Sequence, residues 1–331
     1  MPRLSSALLY TVLCVSPLFA DTIDTIIKRG LLKCGISTGL VGFSALNEQG
    51  EWQGFDVDFC KAIASALLGD SQRVVYVPLT AKTRFSALQG GEVDILIRNT
   101  TWNFTRDTTL GVAFAVVNFY DGQGFMLPKS AGVSRLEDLA GASICVTQGT
   151  TSERNLAEYF YARDIPYKAV YFDRVDQMSL SYDAGRCDAM SADMSALVGT
   201  KTLMRDPDEH VILPDVISKE PLALAVRDTD VRLLKLARWV VWGMLAAEEL
   251  GLTQANIDDE QLRAGKLLSL DKEACAKLSV SEHFIYHIIK QVGSYAEVFD
   301  NNLGPKTALG LARSRNALWR DGGLQYAPPF H

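Results

Sequence analysis

The chain has 331 residues, 48% hydrophobic and 22% charged, and 39 Asp and Glu against 33 Lys and Arg give it a net charge of −6. That length exceeds one typical domain and points to two lobes. The acidic balance speaks against a nucleic-acid partner, because a phosphate backbone needs clustered Lys and Arg.

In chain order the first expectation is an export leader. Arg3 gives a short basic start, Ala7 to Val15 an apolar core, and Pro17 a break before a cleavage point after Ala20, so residues 1–20 are expected to be removed. Leu18 stands where a small residue is usual before the cut, and Leu13 does not suit a lipoprotein reading of Cys14. Beyond the leader, the most apolar helical candidate, Val231 to Leu250, is interrupted by Lys235 and Arg238, too short a run to span a bilayer.

Short apolar strands then alternate with helices. Leu31 to Ser37 reads as a strand, Asp56 to Leu68 as a helix stopped by Gly69, Val74 to Val77 as a strand, Phe85 to Leu88 as a short helix and Val93 to Ile97 as a strand. A second series follows: strand Ser143 to Thr147, helix Ser152 to Tyr161, strand Ala169 to Phe172, helix Val175 to Ala184 and strand Ala189 to Ser191. Alternating βα units predict an α/β fold in two lobes, each a mainly parallel sheet flanked by helices. The glycines of Tyr120-Asp121-Gly122-Gln123-Gly124 mark a crossing between the lobes, and a return crossing fits Lys219-Glu220-Pro221. Residues 21–120 and 222–331 would then form lobe 1, with a helical tail running to the end, and residues 121–221 lobe 2.

Of six cysteines, Cys34, Cys60, Cys145, Cys187 and Cys275 follow the leader, and no CxxC zinc pattern occurs. Each of two pairs would join a strand to a nearby element of the same series, so Cys34 is expected to bridge Cys60 and Cys145 to bridge Cys187, with Cys275 left over; five reduced thiols are the alternative. His283 and His287 would share a helix face but lack the HExxH pattern, and no metal or cofactor is expected. Asn99 and Asn103 match the glycosylation tripeptide and read better as pocket-loop residues. Trp239 and Trp242 read as core.

Several motifs in fixed order carry a family likeness. Gly54-Phe55-Asp56-Val57-Asp58-Phe59, the run Ile97 to Asp107, Tyr120 to Phe125, Val146-Thr147-Gln148-Gly149-Thr150-Thr151, Gly185 to Ala189 and Gly322 to Pro329 together resemble the polar amino-acid family of periplasmic binding proteins. The likeness is strongest to its general L-amino-acid-binding branch and runs from about Leu31 to Pro329. It implies the type II two-lobed fold with a hinge between the lobes. It also implies a periplasmic, monomeric protein that binds free L-amino acids and delivers them to the membrane permease of an ABC importer.

The resemblance also suggests a ligand set. Asn99, Thr101 and Arg106 match the positions that hold the ligand's α-carboxylate, a task suited to a guanidinium fork. Ser37 lies in the first loop, Thr151 matches a contact from the second lobe, and Asp193 matches the receiver of the α-ammonium. Standing alone, Arg106 would read as a surface ion pair and Asp193 as an exposed helix cap. The amides of Gln148 to Ser152 are expected to attract an anion at a helix start. Ser37, Gly39 and Ala81 suggest a small, weakly charged pocket and hence broad specificity. The competing reading is an enzyme on the same scaffold, similar to periplasmic cyclohexadienyl dehydratases; fold alone does not separate the two. A receptor sensor domain would need a membrane helix or signalling module, neither of which follows.

Overall fold

The computed structural model describes residues 21–259 and 270–330. The leader, Cys14 and the expected cut after Ala20 lie outside the described residues.

Helix α1 (Thr22–Arg29) starts where the Asp21 carboxylate accepts the Ile23 amide, and ends at Gly30 with φ +70°. There follow β1 (Leu32–Ser37), β2 (Ala45–Leu46), β3 (Trp52–Gln53), α2 (Phe55–Leu68), β4 (Val74–Leu79), α3 (Arg84–Gln89), β5 (Ile95–Leu96), α4 (Phe104–Thr109) and β6 (Val112–Asp121). The second series is β7 (Gln123–Pro128), β8 (Ser143–Thr147), α5 (Thr151–Tyr161), β9 (Lys168–Phe172), α6 (Val175–Asp183), β10 (Ala189–Asp193), α7 (Met194–Lys201) and β11 (His210–Ile212). Strand β12 (Glu220–Arg227) leads into α8 (Val231–Glu249), α9 (Lys272–Leu278), α10 (Phe284–Gln291) and α11 (Tyr295–Asn302).

These elements build two five-stranded sheets, ordered β4-β1-β5-β12-β6 and β11-β7-β10-β8-β9. In the first, β12 runs against both β5 and β6 while the others share one direction. In the second, β7 alone is reversed, against β10 and β11. Each reversed strand is the one on which the chain has just arrived from the other sheet. The result is a two-lobed α/β protein with mixed, mainly parallel sheets.

Three sequence expectations need correction. Strands β6 and β7 carry no clean alternation, because buried positions run consecutively in them, from Phe114 to Val116 and from Gln123 to Leu127, so period-2 reading passes over them. Strand β5 is shorter than Val93 to Ile97: only Ile95 and Leu96 pair on the ladder before the chain turns into the site. The tail is helical only to Asn302; beyond it lie two single 3₁₀ turns, Ser314–Asn316 and Trp319–Asp321.

Packing holds lobe 1 to that tail. Phe55 meets Phe43, Phe59, Phe119, Tyr295 and Phe299 with ring centroids 5.0–6.4 Å apart, joining α2, β6 and α11. Such pairs contribute roughly 0.5–1.5 kcal/mol each beyond area burial. The Tyr295 hydroxyl donates to the Asn118 carbonyl at 2.7 Å, satisfying its polar end inside the core. Gly54 precedes α2 at φ +130°, where a Cβ would lie 2.3 Å from the Phe43 carbonyl oxygen, so no other residue fits this turn. Cys34 is bonded to Cys60, tying β1 to α2 with Cα atoms 6.1 Å apart. Cys145 is bonded to Cys187, tying β8 to the turn before β10 with Cα atoms 5.7 Å apart. Cys275 is a buried free thiol.

Candidate functional site

Five loops converge between the lobes, each at the carboxyl end of a strand, where open α/β sheets place ligands. From lobe 1 come the turn after β1, the approach to α3 and the segment from β5 to α4. From lobe 2 come the β8–α5 turn and the β10–α7 junction. They enclose a cavity of about 40 Å³. That is a few times what one water needs, so the lobes stand closed on each other.

Polar contacts between side chains close the cleft. Asn99 Nδ2 donates to Asp193 Oδ2 at 3.4 Å, the Thr101 and Thr151 hydroxyls lie 3.2 Å apart, and Lys82 Nζ meets Asp173 Oδ1 at 2.6 Å on the outer rim. Gly149, at φ +74°, lets lobe 2 reach the backbone of lobe 1: a Cβ there would sit 3.4 Å from the Ala81 carbonyl carbon.

Asn99, Thr101, Thr151 and Asp193 line the cavity, from both lobes. Ser37 stands behind it, its Oγ accepting Arg98 Nη2 at 3.4 Å. Arg106 also stands behind the wall. Asn103 caps α4 by accepting the Arg106 amide at 2.9 Å, and the guanidinium donates from Nη1 to the Thr101 carbonyl at 3.0 Å. It packs over the Phe85 ring at 5.5 Å. Burial pulls the Arg106 pKa down to about 10, against the pull of Glu220 and Asp193.

Asp193 is the N-cap residue of α7, yet its side chain makes no capping bond and is 7% exposed. Asp21 and Asp271, at the equivalent places on α1 and α9, both cap. The Asp193 carboxylate instead faces the cavity, where Asn99 is its side-chain donor. Burial first, then Asp121 and Glu220, raise its pKa well above the usual carboxylate range. A desolvated carboxylate with one long hydrogen bond is a receptor for a cation with several N–H donors.

The β8–α5 turn is less open to anions than expected. The Gly149 amide already donates to Glu153 Oε2 at 2.8 Å, and the Glu153 amide to the Thr150 hydroxyl at 3.1 Å. The helix start spends these donors on its own cap.

Four buried charged positions at or behind the cavity wall escape the sequence reading. Arg84 and Arg98 line the cavity at 2% and 5% exposure, so the pocket is not weakly charged. Burial lowers the pKa of both, Arg98 to about 10 and Arg84 well below the usual guanidinium range, and the neighbouring arginines add to this. Glu220, 1% exposed, sits at the return crossing and accepts from Thr101 of lobe 1. It also accepts from Thr151 at 2.9 Å and Asn155 at 2.8 Å in lobe 2. The signal for Glu220 was present: an acid between Lys219 and Pro221 at a crossing has no surface to face. Asp56, whose carboxylate accepts the Asn99 amide at 3.0 Å, has its pKa raised to about 6, by burial chiefly.

The model of the bacterial extracellular solute-binding proteins, family 3, matches residues 32–273. The general L-amino acid-binding periplasmic protein AapJ of Rhizobium johnstonii is 45% identical, over 98% of this chain and 98% of that one. The glutamate/glutamine/aspartate/asparagine-binding protein BztA of Rhodobacter capsulatus is 45% identical, over 94% of each chain. An ABC transporter periplasmic binding protein from Brucella ovis, solved with glutathione bound, superposes with a TM-score of 0.89 at 46% identity, covering 94% of this chain and all of that one. The chain therefore belongs to family 3 of the bacterial extracellular solute-binding proteins.

Proposed function

We propose that this family 3 solute-binding protein captures free L-amino acids outside the cytoplasmic membrane and delivers them to the permease of an ABC importer. The observation that carries the reading is Asp193. A helix-capping carboxylate that is buried, does not cap and faces buried guanidiniums across the cleft is complementary to a zwitterion. In this reading the ammonium sits on Asp193 and on Asn99 Oδ1, a buried acceptor without a partner. The α-carboxylate takes Thr101, Thr151 and the Arg106 side, with Ser37 behind. These backbone-directed contacts ignore the side chain, which supports broad specificity; the name of AapJ supports it as well.

The same proposal covers the organisation of the chain. Residues 1–20 act as the leader, 21–120 and 222–331 form lobe 1, 121–221 form lobe 2, and the two crossings act as the hinge. The protein works as a periplasmic monomer without cofactor, metal or nucleic acid. Among the described residues no helix is long and apolar enough to cross a membrane. Turnover is not part of the reading: a second acid–base pair free to act on a bound ligand is not among the groups assigned above. Incubation with arogenate or prephenate should leave both unchanged. A thermal-shift screen against the common L-amino acids tests the core claim, because a ligand of the native state raises the melting temperature by mass action. Several amino acids should shift it; a flat screen with freshly unfolded and refolded protein would refute the proposal.

A further inference from the structure

Arg84 and Arg98 are not used by the reading above, and their surroundings are unusual for buried cations. The Arg84 side chain makes no hydrogen bond or ion pair among the described residues; its guanidinium packs over the Phe85 ring at 4.9 Å and its Nε is buried without a partner. Arg98 has one long side-chain bond, to Ser37, while its Nε and Nη1 are also buried without partners. A guanidinium keeps its charge and carries five N–H donors, so leaving two of them unpaired in a closed cavity is heavily unfavourable.

The nearby carboxylates are engaged elsewhere. Glu220 accepts from Thr101, Thr151, Asn155 and Ser218. Asp121 accepts the Gly122 amide and both the amide and hydroxyl of Ser195. Asp56 attracts Arg98 without forming an ion pair, its oxygen being held by the Asn99 amide. Asp193 is assigned to the ligand's ammonium. A neutral zwitterion brings one carboxylate, and Arg106 with the two threonines receives it. The two unpartnered forks on the cavity wall therefore still lack an anion.

We propose that Arg84 and Arg98 form a second anion subsite that takes the side-chain carboxylate of a dicarboxylic L-amino acid, so that glutamate and aspartate rank above their amides within a broad set. This rests on the amino-acid reading and adds to it a ranking and the two residues that set it. A fork can meet the second carboxylate with paired N–H···O bonds, which an amide, presenting one oxygen and an NH₂ group, cannot satisfy. Basic side chains should rank last, because they would bring a third cation to the pair.

Calorimetry on ligand-stripped protein with L-glutamate, L-glutamine, L-aspartate, L-asparagine and L-lysine tests this. Each acid should bind roughly tenfold or more tightly than its amide, the difference between charged and neutral hydrogen bonding. In Arg84→Gln and Arg98→Gln the acid-to-amide ratio should collapse to within about threefold. Arg84→Lys, which keeps the charge and loses the fork, should fall between. A ratio near one in the parent overturns the proposal without any variant, as does a ratio preserved in both Gln variants. If both variants lose every amino acid by the same factor, these arginines read the shared α-carboxylate and the subsite assignment is wrong. Failure of all five ligands to bind the parent would instead overturn the amino-acid reading beneath it.

Discussion

Replacing Asp193 with Asn separates a binding role from a structural one, because the two predict different signs. The substitution keeps the size and removes the charge. In the empty closed protein that charge is buried, faces Asp121 and Glu220, and has a single 3.4 Å bond from Asn99. Since the side chain does not cap α7, the helix loses nothing, and the empty variant should melt no lower than the parent. Binding should respond in the opposite direction. Removing one partner of a buried, hydrogen-bonded charge pair costs about 3–5 kcal/mol, or roughly a hundredfold to several thousandfold in affinity. At a ligand concentration about 1,000 times the parent Kd, mass action stabilises the parent by about 4 kcal/mol. At the same concentration a thousandfold weaker variant gains under about 0.5 kcal/mol, so a melting shift of roughly 8 °C or more should shrink to about 1 °C. Differential scanning fluorimetry with and without ligand reads both numbers. A variant that keeps its ligand-induced shift, or whose empty form melts several degrees lower than the parent, refutes the clamp.

Arg106→Ala should weaken every amino acid alike by about a hundredfold or more; calorimetric affinities within tenfold of the parent would remove Arg106 from the carboxylate site. The Asp56 carboxyl has its pKa raised from 3.8 to about 6, so the folded state holds that proton more tightly than the unfolded chain. Its contribution therefore favours folding at low pH and is lost as pH rises through about 6. Relative to Asp56→Asn, urea-unfolding stability of the parent should decline by up to about 3 kcal/mol between about pH 4 and pH 7. Reducing the bridges, which close loops spanning 26 and 42 residues of sequence, should cost up to about 3.5 and about 4 kcal/mol respectively in urea titrations. Non-reducing peptide maps should show Cys34–Cys60 and Cys145–Cys187 peptides and no bridge between lobes. Lys82→Ala should speed ligand release less than about fivefold in stopped-flow displacement, because its pair with Asp173 is exposed.

The sequence made the βα alternation legible wherever a short apolar run was followed by a helical pattern, as at β1 with α2 and β8 with α5. It failed at β6, whose apolar run Val112 to Phe119 is covered on both sides, so that no alternation remains to be read. The motif around Asn99 to Arg106 pointed to a loop of which Asn99 and Thr101 line the cavity. It did not single out Arg98, which directly follows Ile97, the expected end of the strand, and reads there as a solvated strand end. Arg84 was less visible still. In Thr80-Ala81-Lys82-Thr83-Arg84 it sits among polar neighbours at a helix start, and only lobe 2, with Gly149 pressed against Ala81, makes that place interior. Burial supplied by a distant segment leaves no trace in local composition. The family resemblance pointed to Asp193, but that this residue leaves its helix uncapped depends on tertiary packing that no local stretch of sequence reports.

The two crossings run side by side. Tyr120 pairs with Pro221 and Asp121 with Glu220 on the ladder, and on the far side the Ile217 amide still donates to the Gln123 carbonyl at 2.9 Å. What links the lobes is a two-stranded ribbon, packed so closely that a Cβ at Gly122 would lie 2.3 Å from Val216 Cγ1 and 3.0 Å from the Ser218 carbonyl oxygen. Antiparallel strands hold each other by paired backbone bonds, and here that pairing runs on from the lobe 1 sheet past the crossing, so the two connections form one element and share any change of direction between the lobes.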